Sequence, residues 1–231
     1  PQNIASLPFF SQTVINDIKK SMRLRLESLL AVDEGVGRII GTLDRMHLLS
    51  NTIIVFVSDN GVQKGEHRIS SGKNRPYEES IHVPLLIRGP GIPPGMTISK
   101  LVSNIDYAPT IVDLADAVPG RTMDGRSLLP LVQNPSMPWR HGILIENLRA
   151  NLLGDFFLGL RTEDKTYVEY EYNTQPDTPG PDDVELYAMA PNACSPEGDP
   201  YQMESQHANP CYSSLIEEFR TIVNTQKSCS G

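Results

Sequence analysis

The sequence holds little that would fasten it to a membrane or to a polyanion. No stretch approaches the roughly 20 apolar residues of a membrane-spanning helix. Basic residues are in the minority: 20 Lys and Arg against 28 Asp and Glu leave a net charge of −8. No basic patch of the kind that binds nucleic acid stands out, so the expected partners include neither nucleic acid nor membrane, and the acidity serves solubility. Cysteine is scarce. The three present, Cys194, Cys211 and Cys229, all lie near the carboxyl end. Cys194 and Cys211 flank a loop rich in Pro, Gly and Asn and are candidates for a disulfide, which would add about 3 kcal/mol through loop closure. Three separate thiols are the alternative, and the odd count leaves one thiol over or one partner elsewhere. A disulfide would point to an oxidising compartment. The first residues, Pro1-Gln2-Asn3, carry neither an initiator methionine nor a signal peptide. The chain therefore reads as a processed product or a fragment, with the parent's destination left open.

What remains is ordinary globular material. With 231 residues, 39% hydrophobic and 21% charged, the chain is long enough for one large domain, or one domain with a small appendage. From Ser21 to about Met46 the apolar residues Leu26, Leu29, Leu30, Val36, Ile39, Ile40 and Leu43 recur at helical spacing and predict one amphipathic helix. Asp33 interrupts the stripe and is expected to be buried and hydrogen-bonded. Gly35 and Gly37 suggest close approach of a neighbouring backbone. Thr52–Val57 is a continuous apolar, β-branched run, as expected of a strand buried on both faces of a parallel sheet. Val83–Arg88 predicts a second strand and Val102–Asp106 another strand or extended piece. A helix follows, with Asp106 as its N-cap and Pro109 in its first turn. Beyond Pro138-Trp139-Arg140 the character changes. Phe156–Arg161 and Lys165–Tyr172 read as two strands around a turn, the second half-exposed. Residues 212–226 read as a closing helix with Leu215, Ile216, Phe219, Ile222 and Val223 inward. The boundary is placed near residue 140, giving domains 1–140 and 141–231.

The chemistry concentrates after the Thr52–Val57 strand. Asp59 and Asn60 are adjacent oxygen donors followed by Gly61, at the carboxyl end of a strand, where open α/β sheets place their sites. Carboxylate and amide oxygens suit a hard cation such as calcium. Taken alone, the same three residues are an ordinary turn. Lys73, behind Gly72, offers a compact charge for a tetrahedral oxyanion, and His67 could give a proton to a leaving oxygen. Each by itself is also unremarkable as a surface lysine or a loop histidine. Arg68 and Arg75 could hold an acidic substrate or be solvated, and His82 reads as a packing residue.

The order of the pieces is specific. Ser58-Asp-Asn-Gly61, Gly65-Glu-His-Arg68, Gly72-Lys73 with Tyr77-Glu78, Val83-Pro84-Leu85, Arg88-Gly-Pro-Gly91, Ile105-Asp106 with Pro109-Thr110, and Asp124-Gly125 with Ser127-Leu128 together resemble the type I sulfatases of the alkaline-phosphatase-like superfamily. The chain looks closest to the N-acetylglucosamine-6-sulfatases and microbial arylsulfatases. The resemblance implies an α/β fold: part of an alkaline-phosphatase-like sandwich with a mostly parallel sheet, then a small carboxyl-terminal antiparallel sheet with a helix. It implies Asp59 and Asn60 as metal ligands for one Ca2+, Lys73 at the sulfate group and leaving oxygen, and His67 as a second catalytic group. The substrate would be a sulfated carbohydrate or an aryl sulfate, and the setting secreted, periplasmic or lysosomal.

The family's nucleophile is a formylglycine made from Cys/Ser-x-Pro-x-Arg. No such motif precedes the metal pair here; Cys194-Ser-Pro-Glu-Gly198 lacks the arginine and follows the metal pair instead of preceding it. The family's amino-terminal Asp-Asp pair is absent too. Two readings follow: the second half of a sulfuric ester hydrolase, with the missing amino-terminal half as its partner, or a truncated, inactive sulfatase-like binding module. A zinc or manganese phosphodiesterase of the same superfamily would carry His at position 60, where this sequence has Asn.

Overall fold

The computed structural model describes residues 7–147, 156–171 and 184–227. The chain falls into two compact units, residues 1–94 and 95–231. The boundary expected near residue 140 lies inside the second unit.

Unit one opens with a long helix, α1 (Gln12–Arg45). It starts earlier than the apolar stripe suggests because Ser11 caps it, accepting a hydrogen bond from Val14 N at 3.4 Å. It stops where His47 turns left-handed at φ 57 and the amides of Met46, His47 and Leu48 close back on Thr42, Asp44 and Leu43. The stripe exists but is open: Leu26, Leu29, Leu30 and Ile39 are all exposed. Asp33 is likewise exposed, not buried as expected. No atom lies within 4 Å of where a Cβ would stand on Gly35 or Gly37, so the close neighbour they suggest is not found among the described residues.

Strand β1 (Ile54–Val57) pairs antiparallel with β2 (Leu85–Arg88), Ile54 opposite Arg88 and Val57 opposite Leu85. Between them lie a long loop and the single-turn helix α2 (Glu78–Ile81). The expectation of a strand buried on both faces is not met: Val55, Phe56 and Val57 each keep 38% exposure. Every strand pair among the described residues is antiparallel. An apolar β-branched run states that a strand is meant to be covered, but not by what.

Unit two is built around a buried carboxylate. Asp106, fully buried, takes both guanidinium nitrogens of Arg140 at 2.9 and 2.6 Å and the amides of Ser103 and Arg126 at 2.9 Å each. The expected strand at Val102–Asp106 is instead a lead into a 3-10 turn, Asn104–Asp106, closed by a reciprocal box between Ser103 and Asp106. So Asp106 caps the preceding turn, and its side chain does not cap helix α3 (Tyr107–Leu114). Gly125 rests on this turn, its missing Cβ only 2.0 Å from Ile105 O. Thr110 Oγ1 donates to Asp106 O and accepts from Leu128 N, just ahead of helix α4 (Leu129–Gln133). Two of the sequence motifs are thus one structural knot.

The rest of unit two is a four-stranded antiparallel sheet in the order β3-β4-β5-β6: Gly142–Asn147, Phe156–Thr162, Lys165–Glu171 and Val184–Ala188. Helix α5 (Ser213–Lys227) covers one face, with Ile216, Phe219 and Val223 packed on Leu158, Leu160 and Leu186. Phe157, Val168 and Tyr170 form a second cluster. Strand β5 is therefore buried on both faces, not half-exposed, which brings carboxylates into the core. Glu169 bonds to Tyr167 and to Arg220 Nε at 3.0 Å, and Tyr170 donates to Glu185 at 2.8 Å. Burial first, then the neighbouring Glu169, pushes the Tyr167 hydroxyl far above its ordinary 10.0, so it stays a donor. Beyond β6 a loop is tied back by the Cys194–Cys211 disulfide, Cα–Cα 5.9 Å. Within it the amides of Asp199 and Gln206 donate to Ala188 O and Leu186 O, both at 2.6 Å. Cys229 and the 173–183 loop lie outside the described residues.

Removing one partner of a buried ion pair strands the other. Asp106→Ala is expected to cost about 3–5 kcal/mol, read from the denaturant midpoint of unfolding. An unchanged midpoint would show the knot to be dispensable. A smaller effect is expected at the β4–β5 turn. Burial alone would raise the Asp164 carboxyl, but the hydrogen bond and charge of Lys165, with Thr162, outweigh it and hold it below its ordinary 3.8. A carboxyl lowered on folding stabilises above that ordinary value, and its contribution fades as pH falls through the lowered one. Asp164→Asn should flatten the stability-against-pH curve on its acid side only; an unaltered acid limb would contradict this.

Candidate active site

The site grows from the end of β1. Ser58 Oγ donates to Asn60 O at 2.9 Å, and Asn60 N donates to Asp59 Oδ1 at 2.8 Å. Asn60 Nδ2 donates to Gly61 O, also at 2.8 Å, which aims Oδ1 away from its own backbone. Lys73 Nζ donates to that Oδ1 at 2.8 Å. An ammonium thirteen residues further along the chain thus meets the carboxamide directly, with the Asp59 carboxylate next to it and exposed to solvent.

Two features bring Lys73 there. The first is Gly61. Its N donates to Ser80 O at 2.9 Å, and a Cβ would lie 1.9 Å from Glu79 O, so only glycine lets the turn after β1 lie against α2. The second is closure of the loop between Gln63 and Gly72. Gln63, fully buried, donates its main-chain N–H to Gly72 O at 2.8 Å and accepts at Oε1 from Ser80 Oγ at 3.1 Å. Lys64 Nζ crosses the loop to Ser71 Oγ at 3.2 Å and reaches Ser21 Oγ on α1 at 3.1 Å. Lys73 follows directly on the closed end.

Inside the loop the backbone is unusual: Gly65, His67 and Arg68 have φ of 123, 52 and 58. The His67 ring stacks on Tyr77 with centroids 3.8 Å apart. Its Nε2 faces Glu79 Oε2 at 3.5 Å, and its side chain is only 5% exposed. Among the described residues, its polar contact is therefore with Glu79 and not with Lys73 or Asn60. Arg68 donates to Leu7 O at 2.7 Å and lies 4.3 Å over the Phe9 ring; it anchors the residues ahead of α1. His82 is exposed and pairs with Glu78 at 3.2 Å instead of packing.

The donor set fits a hard cation in kind. Asp59 and Asn60 present carboxylate and amide oxygens, while calcium takes six to eight. Among the described residues no group of three or more His, Cys, Asp or Glu could hold a metal, so these two would by themselves be only part of a coordination shell. Cys194 is disulfide-bonded and has no free thiol to act as a nucleophile.

Sequence reasoning found the residues that meet, Asn60 and Lys73, and missed those that make them meet. Gln63, Ser80 and Glu79 carry no motif of their own; the one available sign was Gly61, directly behind the oxygen donors.

Comparison with known proteins places the chain among relatives. Residues 5–117 match the Sulfatase family, and residues 65–227 match the family described as N-sulphoglucosamine sulphohydrolase, C-terminal. The N-acetylglucosamine-6-sulfatase of Homo sapiens is 42% identical over 134 residues, covering 57% of this chain and 24% of that protein. An arylsulfatase of Volvox carteri is 39% identical over 135 residues, 55% of this chain and 21% of its own length. The solved structure of BT4656 in complex with its substrate D-glucosamine-2-N,6-O-disulfate superposes with a TM-score of 0.79 at 29% identity, over 98% of this chain and 44% of that one. The chain thus corresponds to less than half the length of the proteins it matches, and within that span it belongs to the sulfatase family.

Proposed function

We propose that this chain is the carboxyl-terminal part of a sulfuric ester hydrolase acting on a sulfated sugar or an aryl sulfate. The observation that carries the reading is the 2.8 Å contact of Lys73 Nζ with Asn60 Oδ1 beside the Asp59 carboxylate. An ammonium held at the edge of an oxygen-donor pair is arranged to receive an anionic ester, and charge placed in advance where negative charge develops is a large term in such catalysis. Lys73 would hold a sulfate oxygen and stabilise the departing alcohol oxygen. Asp59 and Asn60 would hold one calcium ion, whose charge would offset that of the sulfate group. His67, with Nε2 turned to Glu79, would exchange its proton with the leaving oxygen through Nδ1. The covalent step would fall to a formylglycine, which would have to lie outside the residues given by this sequence. The sugar-sulfate preference follows the substrate of the solved relative, and a secreted or lysosomal setting follows the disulfide and the relatives.

The same reading accounts for the open faces. In the whole protein, the exposed stripe of α1 and the half-bare β1–β2 pair would be covered, with β1 joining the mostly parallel sheet of an alkaline-phosphatase-like fold. Domains of 1–140 and 141–231 then describe the shared catalytic half and an appended subdomain. The alternative, an inactive sulfatase-like binding module, has one observation in its favour: the sequence contains no Cys/Ser-x-Pro-x-Arg ahead of the metal pair, and the one such string, Ser136-Met-Pro-Trp-Arg140, follows that pair and has its arginine bound to Asp106. Intact mass of the native protein separates the two, since the enzyme reading requires formylglycine on the same or an associated chain.

The full-length protein is expected to hydrolyse an aryl sulfate, to lose turnover with a calcium chelator, and to lose about a hundredfold in kcat on Lys73→Ala. Absence of turnover on both aryl and sugar sulfates, or indifference to Lys73→Ala, would sink the reading. Residues 1–231 expressed alone are expected to self-associate and bind a hydrophobic dye, because edges and faces meant to be covered are bare. A monomer with a sharp two-state melt would contradict that.

A further inference from the structure

One carboxylate beside the candidate site has no work assigned to it. Glu79 stands in α2, and its Oε2 is buried and without a hydrogen-bond partner; the facing His67 Nε2 is in the same condition. The two atoms are 3.5 Å apart, an ion-pair separation but longer than a well-formed hydrogen bond. Buried polar atoms are as a rule satisfied, and a facing pair of unsatisfied ones is found where function or strain holds them.

The surrounding backbone narrows the choice. His67 and Arg68 occupy the left-handed region at φ 52 and 58, which costs a residue bearing a side chain free energy. Contacts of the loop must offset that cost. His67 is held by the Tyr77 stack on its face and by Glu79 at its edge. The same Glu79 presents its main-chain carbonyl to Gly61 at a distance that excludes any side chain there. One residue therefore touches both the backbone directly behind Asn60 and the strained loop that ends at Lys73.

We propose that Glu79 is a positioning residue. It fixes the ring of His67, and with it the Gln63–Gly72 loop, so that Lys73 is delivered to Asn60 and the Nδ1 side of His67 is left for proton exchange. The kinetic consequence rests on the sulfate-ester reading; the geometric one does not.

Glu79→Gln preserves shape and removes charge. In the full-length protein carrying this chain, the variant is expected to lower kcat on an aryl sulfate by about 10- to 100-fold, as loss of a partner behind a working residue does. KM should change by less than about threefold. Glu79→Asp should recover part of the loss. The double variant His67→Gln/Glu79→Gln should be no slower than His67→Gln alone, because the two side chains act as a unit. Without substrate, 15N spectra should show the His67 imidazole resonances displaced by Glu79→Gln at a similar melting temperature. The proposal is overturned by a kcat within about twofold of the parent, by additive effects in the double variant, or by His67 resonances that do not move. Should Glu79→Gln fail to fold, Glu79→Asp and the His67→Gln cycle decide on the same criteria. A parent without sulfatase activity whose His67 responds to Glu79→Gln would uphold the positioning link while removing the sulfatase reading.

Discussion

The site depends on a missing side chain. Gly61 lets the turn after β1 lie against α2, amide to Ser80 carbonyl, with no room for even a methyl group. That contact sets the distance from the oxygen donors to α2, and α2 with its N-cap residue Tyr77 in turn carries the groups that tie down the loop: Tyr77 against His67, Glu79 facing it, and Ser80 on buried Gln63. Lys73 reaches Asn60 only because the loop between is shut. Electrostatic preorganisation is ordinarily described by the charges that meet, yet here the arrangement is decided by main chain packing on main chain.

The two units solve the problem of burial differently. Unit two has its own core, sealed on both faces of β5, and it admits carboxylates only where each has a partner: Asp106 with Arg140, Glu169 with Arg220, Glu185 with Tyr170. Lone charges there would cost several kcal/mol each. Unit one has α1 with no buried residue and a two-stranded sheet with apolar side chains half in water. A pair of four-residue strands is marginal by itself, so the candidate site is mounted on the less self-sufficient part of the chain.

Helical spacing made α1 and α5 legible, and the residues of α5 chosen as inward are those that pack. The Asn60–Lys73 meeting was legible too, through ordered glycines around oxygen donors and a lysine. Burial was not legible. The stripe of α1 and the apolar run of β1 state a preference for cover, and only tertiary structure says whether cover is present. The strand expected at Val102–Asp106 failed to a local competitor: Ser103-Asn-Ile-Asp106 is a capping-box pattern, and the reciprocal hydrogen bonds of that box outweighed β propensity. The pairing of His67 with Glu79 depends on how a loop folds back over a helical turn, which no spacing along the chain encodes.

The disulfide-tied loop bears on one margin of the second sheet. Ala188 and Leu186, on the outer side of β6, already accept hydrogen bonds from Asp199 and Gln206. Two carbonyls of that margin are therefore taken up by the protein's own backbone, and the Cys194–Cys211 link closes the loop that supplies the donors. A foreign strand added along β6 would have to displace those two hydrogen bonds before it could pair there.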